Sequence, residues 1–420
     1  SFSLEEVNAM AKSWGGTRNR VVTISGPTIM KDKPTKASVL ATIEKVKGSE
    51  IAPWVDDSPA GPLMAKAPVA GKVTGYLKIP EVGVTEWTLS NGAKVIVKPT
   101  TFKNDQIQIS AFSPGGHSLT SDADFQSARF AGSVVASGGV AHLSRTQLDK
   151  TLTGKVVRVR PYISELEEGI WGSSSAQDAE TMMQLVHLYF TAPRKDAEAF
   201  DAWMQRQVEQ TRNRRLNPQR AFFEDMGSFV TRNHLRRMPV TLESLKQVDL
   251  DKAMGIYQDR FADASDFTFV FVGNIDLPTF KPLVERYLAS LPNKSRGEKW
   301  KDVGVKRPRG VKTLNVNKGL EPKSALYLSF HGKQKWTKDD ENDMTMLGEV
   351  LSIRLREILR EDMGGVYGSY SYGSISRVPK QKRDFTVYFG CAPENVDKLK
   401  KAVMKEIAAI QKKGIGADYI

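Results

Sequence analysis

One cysteine in 420 residues, Cys391, excludes an intramolecular disulfide framework and a thiolate zinc cluster. It falls in the run FTVYFGC and reads as a small buried apolar residue. Histidine is scarce too. His117, His142, His187, His234 and His331 stand far apart, and none is followed by histidine or glutamate at the offsets that put metal ligands on one helical face. His187 lies on an otherwise apolar helix face and reads as a hydrogen-bonded interior histidine; His331, in SFHGKQKW, reads as a loop or strand-end residue. Nothing approaches the unbroken apolar run of about 18 residues that a membrane span needs. No signal peptide is visible. The chain opens SFSLEEVNAMAKSW, an amphipathic helix behind a serine cap at Ser3, and closes GIGADYI just after a helix. Both ends look cut, so the expectation is an excised piece of a longer protein, and the compartment is left open.

What the chain has in excess is positive charge, +13 with a pI near 9.5. The basic residues are dispersed (Lys45, Arg145, Arg214, Lys246, Lys323, Lys401) and not interleaved with stacking aromatics. The densest clusters, Arg212–Arg215 and Lys380–Arg383, read as a solvated helix face and a turn. A nucleic-acid partner is therefore not expected. Hydrophobic residues at 40% and charged residues at 26% fit a globular protein with real cores, and the length suggests two or three domains.

Strand–helix units recur. NRVVTISGPT with Gly26, followed by KASVLATIEKVK, shares its design with DFTFVFVGNIDLPTFKPLVERYL and its Gly273. In both, an apolar run of period two ends at glycine and switches to a helical period. A second pair lies about two hundred residues apart. EEGIWGSSSAQDAETMMQLVHLYF has Gly172 and an acidic cap at Asp178. RDFTVYFGCAPENVDKLKKAVMKEIAAIQ has Gly390 and caps at Glu394 and Asn395. Such spacing argues for duplicated α+β domains. WTLSNGAKVIV reads as a hairpin turning at Asn91-Gly92, NDQIQISAF as the next strand, and DAWMQRQVEQTRNRRLNP and LESLKQVDLDKAMGIYQDRF as helices. From Ile51 to Val84 prolines and glycines alternate, as in an extended connector without regular ladders. The expected layout is a tail of a preceding unit (1–50), that linker (51–84), a complete unit (85–292), a connector (293–310) and a truncated last unit (311–420).

The segment LREDMGGVYGSYSY carries the most chemistry. Arg360 precedes Tyr367 by seven residues across Gly364 and Gly365. A guanidinium offers a planar fork of donors, a phenol one donor on a rigid ring. If Arg360 closes a helix and Tyr367 opens a strand, both tips can hold carbonyl oxygens in one cleft. By spacing alone, an exposed helix end followed by an aromatic strand is the plainer explanation.

The hairpin TLSNGAKVIV, the strand end FVFVGNID, the linker WVDDSPAGPL and above all REDMGGVYGSY together resemble the pitrilysin/insulinase family of zinc peptidases, the inverzincins. The resemblance covers essentially the whole chain. It implies repeated α+β domains, each an antiparallel-rich sheet packed by helices, in two halves that close around a peptide. It also implies zinc bound by H-x-x-E-H on a helix of the first unit. The corresponding place in the middle unit here, SDADFQSARFAGSVVASGG, has no histidine, so zinc is expected in an N-terminal half that this sequence does not contain. Carried over by resemblance, Arg360 and Tyr367 are the pair that grips substrate backbone and transition state. Gly364 and Gly365 give the turn its freedom beside the substrate, and Tyr370 and Tyr372 are weaker candidates for lining the chamber and touching substrate. Glu361 and Asp362 are helix-end charges.

The function expected is the C-terminal half of a zinc metalloendopeptidase, inactive alone. Its partners would be peptides or unfolded polypeptides and the N-terminal half of the same chain. Bacterial relatives are commonly periplasmic and others organellar or cytosolic, so the periplasm or cell envelope is expected only for a bacterial source. Two alternatives are a non-catalytic scaffold or core subunit of a complex, and a peptide-binding module. A pure scaffold has no use for the arginine–tyrosine pairing.

Overall fold

The computed structural model describes residues 3–14, 19–26, 32–50, 52, 61–416 and 419, with the side chain of Tyr367 outside that set. The chain falls into two compact units, residues 1–57 and 58–420.

In the first unit, helix α1 (Leu4–Ser13) starts at the expected cap. Ser3 Oγ accepts the Glu6 N–H at 3.2 Å, and the Glu6 carboxylate accepts the Ser3 N–H at 2.8 Å. Helix α2 (Lys36–Lys47) has the same reciprocal cap between Thr35 and Ser38. The strand expected in NRVVTISGPT does not form over residues 19–26, where Val21 and Ile24 are exposed. Pro27 and Thr28 lie outside the described residues. A β-branched run becomes a strand only where a neighbour completes its ladder, and none of the described residues of this unit supplies one.

The second unit holds two sheets. Strands β1 (Val73–Ile79), β2 (Val84–Leu89), β3 (Lys94–Pro99), β4 (Ile107–Pro114), β5 (Val157–Ile163), β6 (Glu167–Ser174) and β7 (Thr268–Gly273) form one, in the order β1-β2-β3-β7-β4-β6-β5. All its ladders are antiparallel except β3 with β7. Strand β1 corrects the reading of 51–84 as free of ladders. Pro68 and Pro80 bracket a proline-free stretch, and a strand at the rim tolerates prolines just beyond its ends. The hairpin between β2 and β3 turns as expected, but only Gly92 takes positive φ, +87°. Asn91 is buried instead, its amide donating to the carbonyls of Leu288 (2.8 Å) and Leu291 (3.1 Å). A turn residue thus pins the hairpin to the end of a distant helix.

Helices α3 (Phe125–Gly138), α4 (Arg145–Thr151), α5 (Ala179–Thr191), α6 (Ala197–Arg214), α7 (Pro218–Val230), α8 (Leu242–Leu245), α9 (Leu250–Arg260) and α10 (Leu277–Tyr287) follow. Of these, α3 and α5 pack on the sheet, α9 on α3, and α10 on α5. The core between them is aliphatic and aromatic, with Val95, Val97, Ala111, Ile170, Met182, Val186, Phe269 and Phe271 fully or almost fully buried. The stretch LESLKQVDLDKAM breaks into α8 and α9 because Asp249 caps a new helix, accepting the Lys252 N–H at 2.8 Å. The RNRR cluster does more than face solvent: Arg214 pairs with Glu224 and Arg215 with Asp225, tying α6 to α7. His187 is the interior histidine expected, with Nδ1 2.9 Å from the Tyr287 carbonyl.

The second sheet, β8 (Ser324–Lys333), β9 (Val366–Ser376) and β10 (Lys382–Cys391), runs antiparallel in the order β8-β10-β9. Helices α11 (Lys338–Leu355) and α12 (Val396–Lys413) enclose a separate core of Leu351, Leu355, Leu359, Val387, Phe389, Leu399 and Val403, with Cys391 buried at its edge. His331 lies near the end of β8, with Nε2 2.9 Å from the Pro308 carbonyl.

The segment 293–310 has no regular structure, yet side chains hold it along its length. Asp263 accepts the N–H groups of Lys294 and Arg296, Ser118 that of Lys301, and Arg307 pairs with Asp384 of β10 at 2.9 Å. Buried Arg260 pairs with Glu298. Beside Arg260, Glu168 accepts the Gly116 N–H at 2.6 Å and is otherwise enclosed. Burial pushes its carboxyl up to about 7, against the pull of Gly116 and Arg260. Burial, with Arg236, Arg237 and Arg129 close by, pushes neighbouring His117 down to about 4.

The two groups have opposite linkage. Glu168 takes up a proton on folding, so its contribution falls as pH rises from 4.5 to about 7. His117 loses one, so its contribution falls as pH drops from 6.5 to about 4. In urea unfolding, Glu168→Gln should therefore gain on the wild type between pH 5 and pH 8, by roughly 2 kcal/mol. His117→Gln should gain on it between pH 7 and pH 4.5. Differences that do not vary with pH would show that neither group is held as described.

Candidate functional site

The Arg360–Tyr367 segment is where α11 gives way to β9. Beyond Leu355 the helix widens into a π-turn, Arg356–Asp362, whose register shows in the Met363 N–H bonding the Ile358 carbonyl at 3.1 Å. Gly364 then adopts φ +58°, its N–H on the Arg360 carbonyl (3.1 Å), and the Gly365 N–H reaches back to the Leu359 carbonyl (2.9 Å). This is a glycine-stopped helix end with the long-range bond that closes it. The glycine pair has two separate causes. Gly364 supplies a backbone angle; Gly365 supplies space, because a Cβ there would lie 2.7 Å from Leu399 Cδ2 of α12.

Arg360 is exposed, and among the described residues its guanidinium has no hydrogen bond or ion pair. Glu361 and Asp362 are exposed helix-end residues that do not pair with it. Tyr367 is the second residue of β9, where the register against β10 shifts between Phe389 and Cys391. A bulge there changes which way successive residues face. The closed turn brings the Arg360 and Tyr367 backbones to the same end of the small sheet.

Sequence reading missed the residues that brace this turn. Arg354 donates to Glu406 of α12 (2.8 Å) and to the Tyr419 hydroxyl (3.0 Å), which donates to Glu357 (2.8 Å). These partners raise the Arg354 pKa. Ser352 Oγ accepts the Ser371 N–H at 2.7 Å, and Ser371 Oγ donates to the Gly348 carbonyl at 2.7 Å. Helix and strand approach so closely that a Cβ on Gly348 would meet the Gly373 nitrogen at 2.8 Å. The GSYSYGS alternation hinted at this face; the pairing of Arg354 with Glu406, fifty-odd residues on, left no local trace.

Tyr370 is 45% exposed and stacks on Tyr388 with ring centroids 5.0 Å apart. Burial and the nearby Tyr327 and Tyr388 raise its pKa. Tyr388 in turn faces Phe223 of α7 at 5.6 Å, and its hydroxyl accepts from Gln219 at 3.3 Å. An aromatic row therefore runs across the small sheet and seats α7 against it. Tyr372 is more exposed, at 58%.

The described residues of this chain do not fit a catalytic zinc. Helix α3, the place matched to the metal helix, contains no histidine. Its first residue, Phe125, packs edge-on against His117 and under the Arg236 guanidinium, a cationic setting hostile to a dication. Among the described residues no group of three or more His, Cys, Asp or Glu is placed to hold a metal ion.

Residues 248–420 match the family described as the Peptidase M16 inactive domain. Over that stretch the chain is homologous to M16 zinc proteases. The zinc protease PQQL-like of Arabidopsis thaliana is 27% identical over 416 residues, covering 93% of this chain and 41% of the relative. The periplasmic protease PqqL of Escherichia coli superposes with a TM-score of 0.74 at 21% identity, over 92% of this chain and 42% of that one. The ferredoxin protease FusC, solved in complex with Arabidopsis ferredoxin, gives 0.70 at 18%, over 92% and 42%. The chain thus spans about two fifths of the length of these M16 relatives. The fold, helices on mostly antiparallel sheets, is the M16 one. Among the described residues no helix is long and apolar enough to cross a membrane.

The turn chemistry can be checked by urea unfolding. Gly364→Ala should cost about 1 kcal/mol, the strain of alanine at positive φ. Gly365→Ala should cost more, roughly 1–3 kcal/mol, through overpacking against Leu399. Equal stability of both variants and the wild type would remove the turn as described.

Proposed function

We propose that this chain is the C-terminal half of an M16 zinc endopeptidase, contributing substrate and transition-state contacts while the half bearing H-x-x-E-H holds the metal. The observation that supports this most is Arg360: a solvent-facing guanidinium without a partner among the described residues, on a turn braced by Arg354 and closed by Gly365. Most arginines with a structural task in this protein are paired, as Arg215, Arg236, Arg260 and Arg354 are.

In this reading the Tyr367 hydroxyl donates to the scissile carbonyl oxygen as it gains negative charge. Arg360 holds a neighbouring main-chain carbonyl. Gly364 and Gly365 let the turn approach the substrate backbone, and Tyr370 forms part of the chamber wall. Zinc, carried by the other half, would supply the activated water. Division of the donors and the metal between halves makes closure around the peptide a condition for turnover. Names of relatives support the substrate class: FusC was solved with a protein, ferredoxin, bound. A periplasmic location is proposed for a bacterial source, by analogy with E. coli PqqL. A non-catalytic scaffold is the competing reading, favoured by the label of inactive domain that residues 248–420 match.

In the full-length protein, Tyr367→Phe should lower kcat about 100- to 1,000-fold, the usual worth of one oxyanion donor, with zinc content unchanged. Arg360→Ala should act mainly on KM for peptides. This chain alone should bind no stoichiometric zinc and cleave no peptide. Unchanged turnover in Tyr367→Phe would favour the scaffold.

A further inference from the structure

Three carboxylates compete for buried Arg260 of α9. Glu298, in the connector 293–310, takes both of its terminal nitrogens, at 2.9 and 3.0 Å. Asp259 accepts from one of the same nitrogens and also pairs with Arg296, which lies 3.3 Å from Glu298. The third carboxylate is Glu168 of β6, which is fully buried. A Cβ on Gly115 would lie 3.0 Å from an Arg260 terminal nitrogen and 3.1 Å from Glu168 Oε2, so guanidinium and carboxylate face the same small space. Arg260 and Arg296 balance Glu298 and Asp259, and an ionised Glu168 would add a negative charge in excess.

Glu168 is also joined to the connector through the backbone. Its Oε2 accepts the Gly116 N–H at 2.6 Å, while its Oε1 has no hydrogen-bond partner among the described residues. Two residues beyond Gly116, Ser118 Oγ accepts the Lys301 N–H of the connector at 2.9 Å. On the neighbouring strand β5, Tyr162 donates its hydroxyl to Glu167 at 2.9 Å and leaves Glu168 alone. Burial raises the Glu168 carboxyl to about 7, and Glu298 pushes it the same way, against the pull of Gly116, Arg260 and Ser113. His117, on the same turn, is held down to about 4 by burial and by Arg236, Arg237 and Arg129, so it stays neutral where Glu168 titrates.

We propose that residues 293–301 form a proton-operated strap: while Glu168 is protonated, Arg260 belongs to Glu298 and the strap is seated. When Glu168 gives its proton to solvent, the new carboxylate draws the guanidinium toward itself, repels Glu298 and loosens the strap. Seating brings Glu298 close and so favours the protonated Glu168; by linkage it weakens as pH rises through about 7. The same connector runs on to Arg307, which pairs with Asp384 of β10. Its seating therefore sets how firmly the segment between the two sheets is fastened. The strap works alike whether the chain serves a protease or a scaffold.

A nitroxide attached at Lys299→Cys, an exposed connector position, reads strap mobility from its electron paramagnetic resonance line shape, with buried Cys391 replaced by alanine. Between pH 6 and pH 8 the mobile fraction should rise about twofold or more. Glu168→Gln, which carries no charge to release, should stay immobilised at both pH values. Glu298→Gln should be more mobile than the wild type already at pH 6 and should lose the rise. A wild-type line shape that does not change with pH overturns the strap. So does an equal rise in Glu168→Gln, which would move the titrating group to His234 at its contact with the Val303 carbonyl. A wild-type response in Glu298→Gln overturns it as well. Circular dichroism checks that each variant is folded, and the wild-type arm decides even if one is not.

Discussion

Everything proposed for the arginine–tyrosine segment depends on one backbone closure, the Gly365 N–H on the Leu359 carbonyl. That bond ends α11 within a single turn and starts β9 without a flexible loop. It works only because Gly364 takes positive φ and Gly365 carries no Cβ to collide with Leu399. A guanidinium and a phenol on an unclosed loop would lose alignment energy each time they met a substrate. On this turn the main-chain positions are set in advance, and Arg354, held by Glu406 and Tyr419, keeps the helix end in place.

The same logic of local rigidity extends outward. The small sheet is not an independent appendage: its aromatic row seats Phe223 of α7, and Arg307 bonds Asp384 from the segment that joins the two sheets. That segment has no ladder or helix, but Asp263, Arg260, Ser118 and His234 fasten it at short intervals. Motion of the turn relative to the large sheet would require several of these bonds to break together.

Much of this was legible in one dimension. The alternation in FTVYFGC and FTFVFVG, the cap at Ser3, and the glycine after WTLSN each name their element, because period, capping and turn chemistry are local properties. The glycine pair and the arginine–tyrosine spacing were visible for the same reason. Three things were not. NRVVTISG has the composition of a strand and forms none over its described residues, and VTGYLKI sits in a proline-rich stretch and forms one. A strand is made by its neighbour, and no property of the segment itself announces that neighbour. Asn91, read as a turn former, spends its amide on helix carbonyls about two hundred residues away.

The amino-acid sequence alone determined the helices and most of the strands, the lack of a metal-binding histidine pair, and the order of Arg360, the glycines and Tyr367. These follow from residue chemistry and spacing, which folding leaves unchanged. Tertiary structure decided which glycine is needed for angle and which for space, which arginines are left without partners, and which carboxylates gather around Arg260. Each of those depends on what lies alongside in space, and packing brings together residues that the linear order keeps hundreds of positions apart.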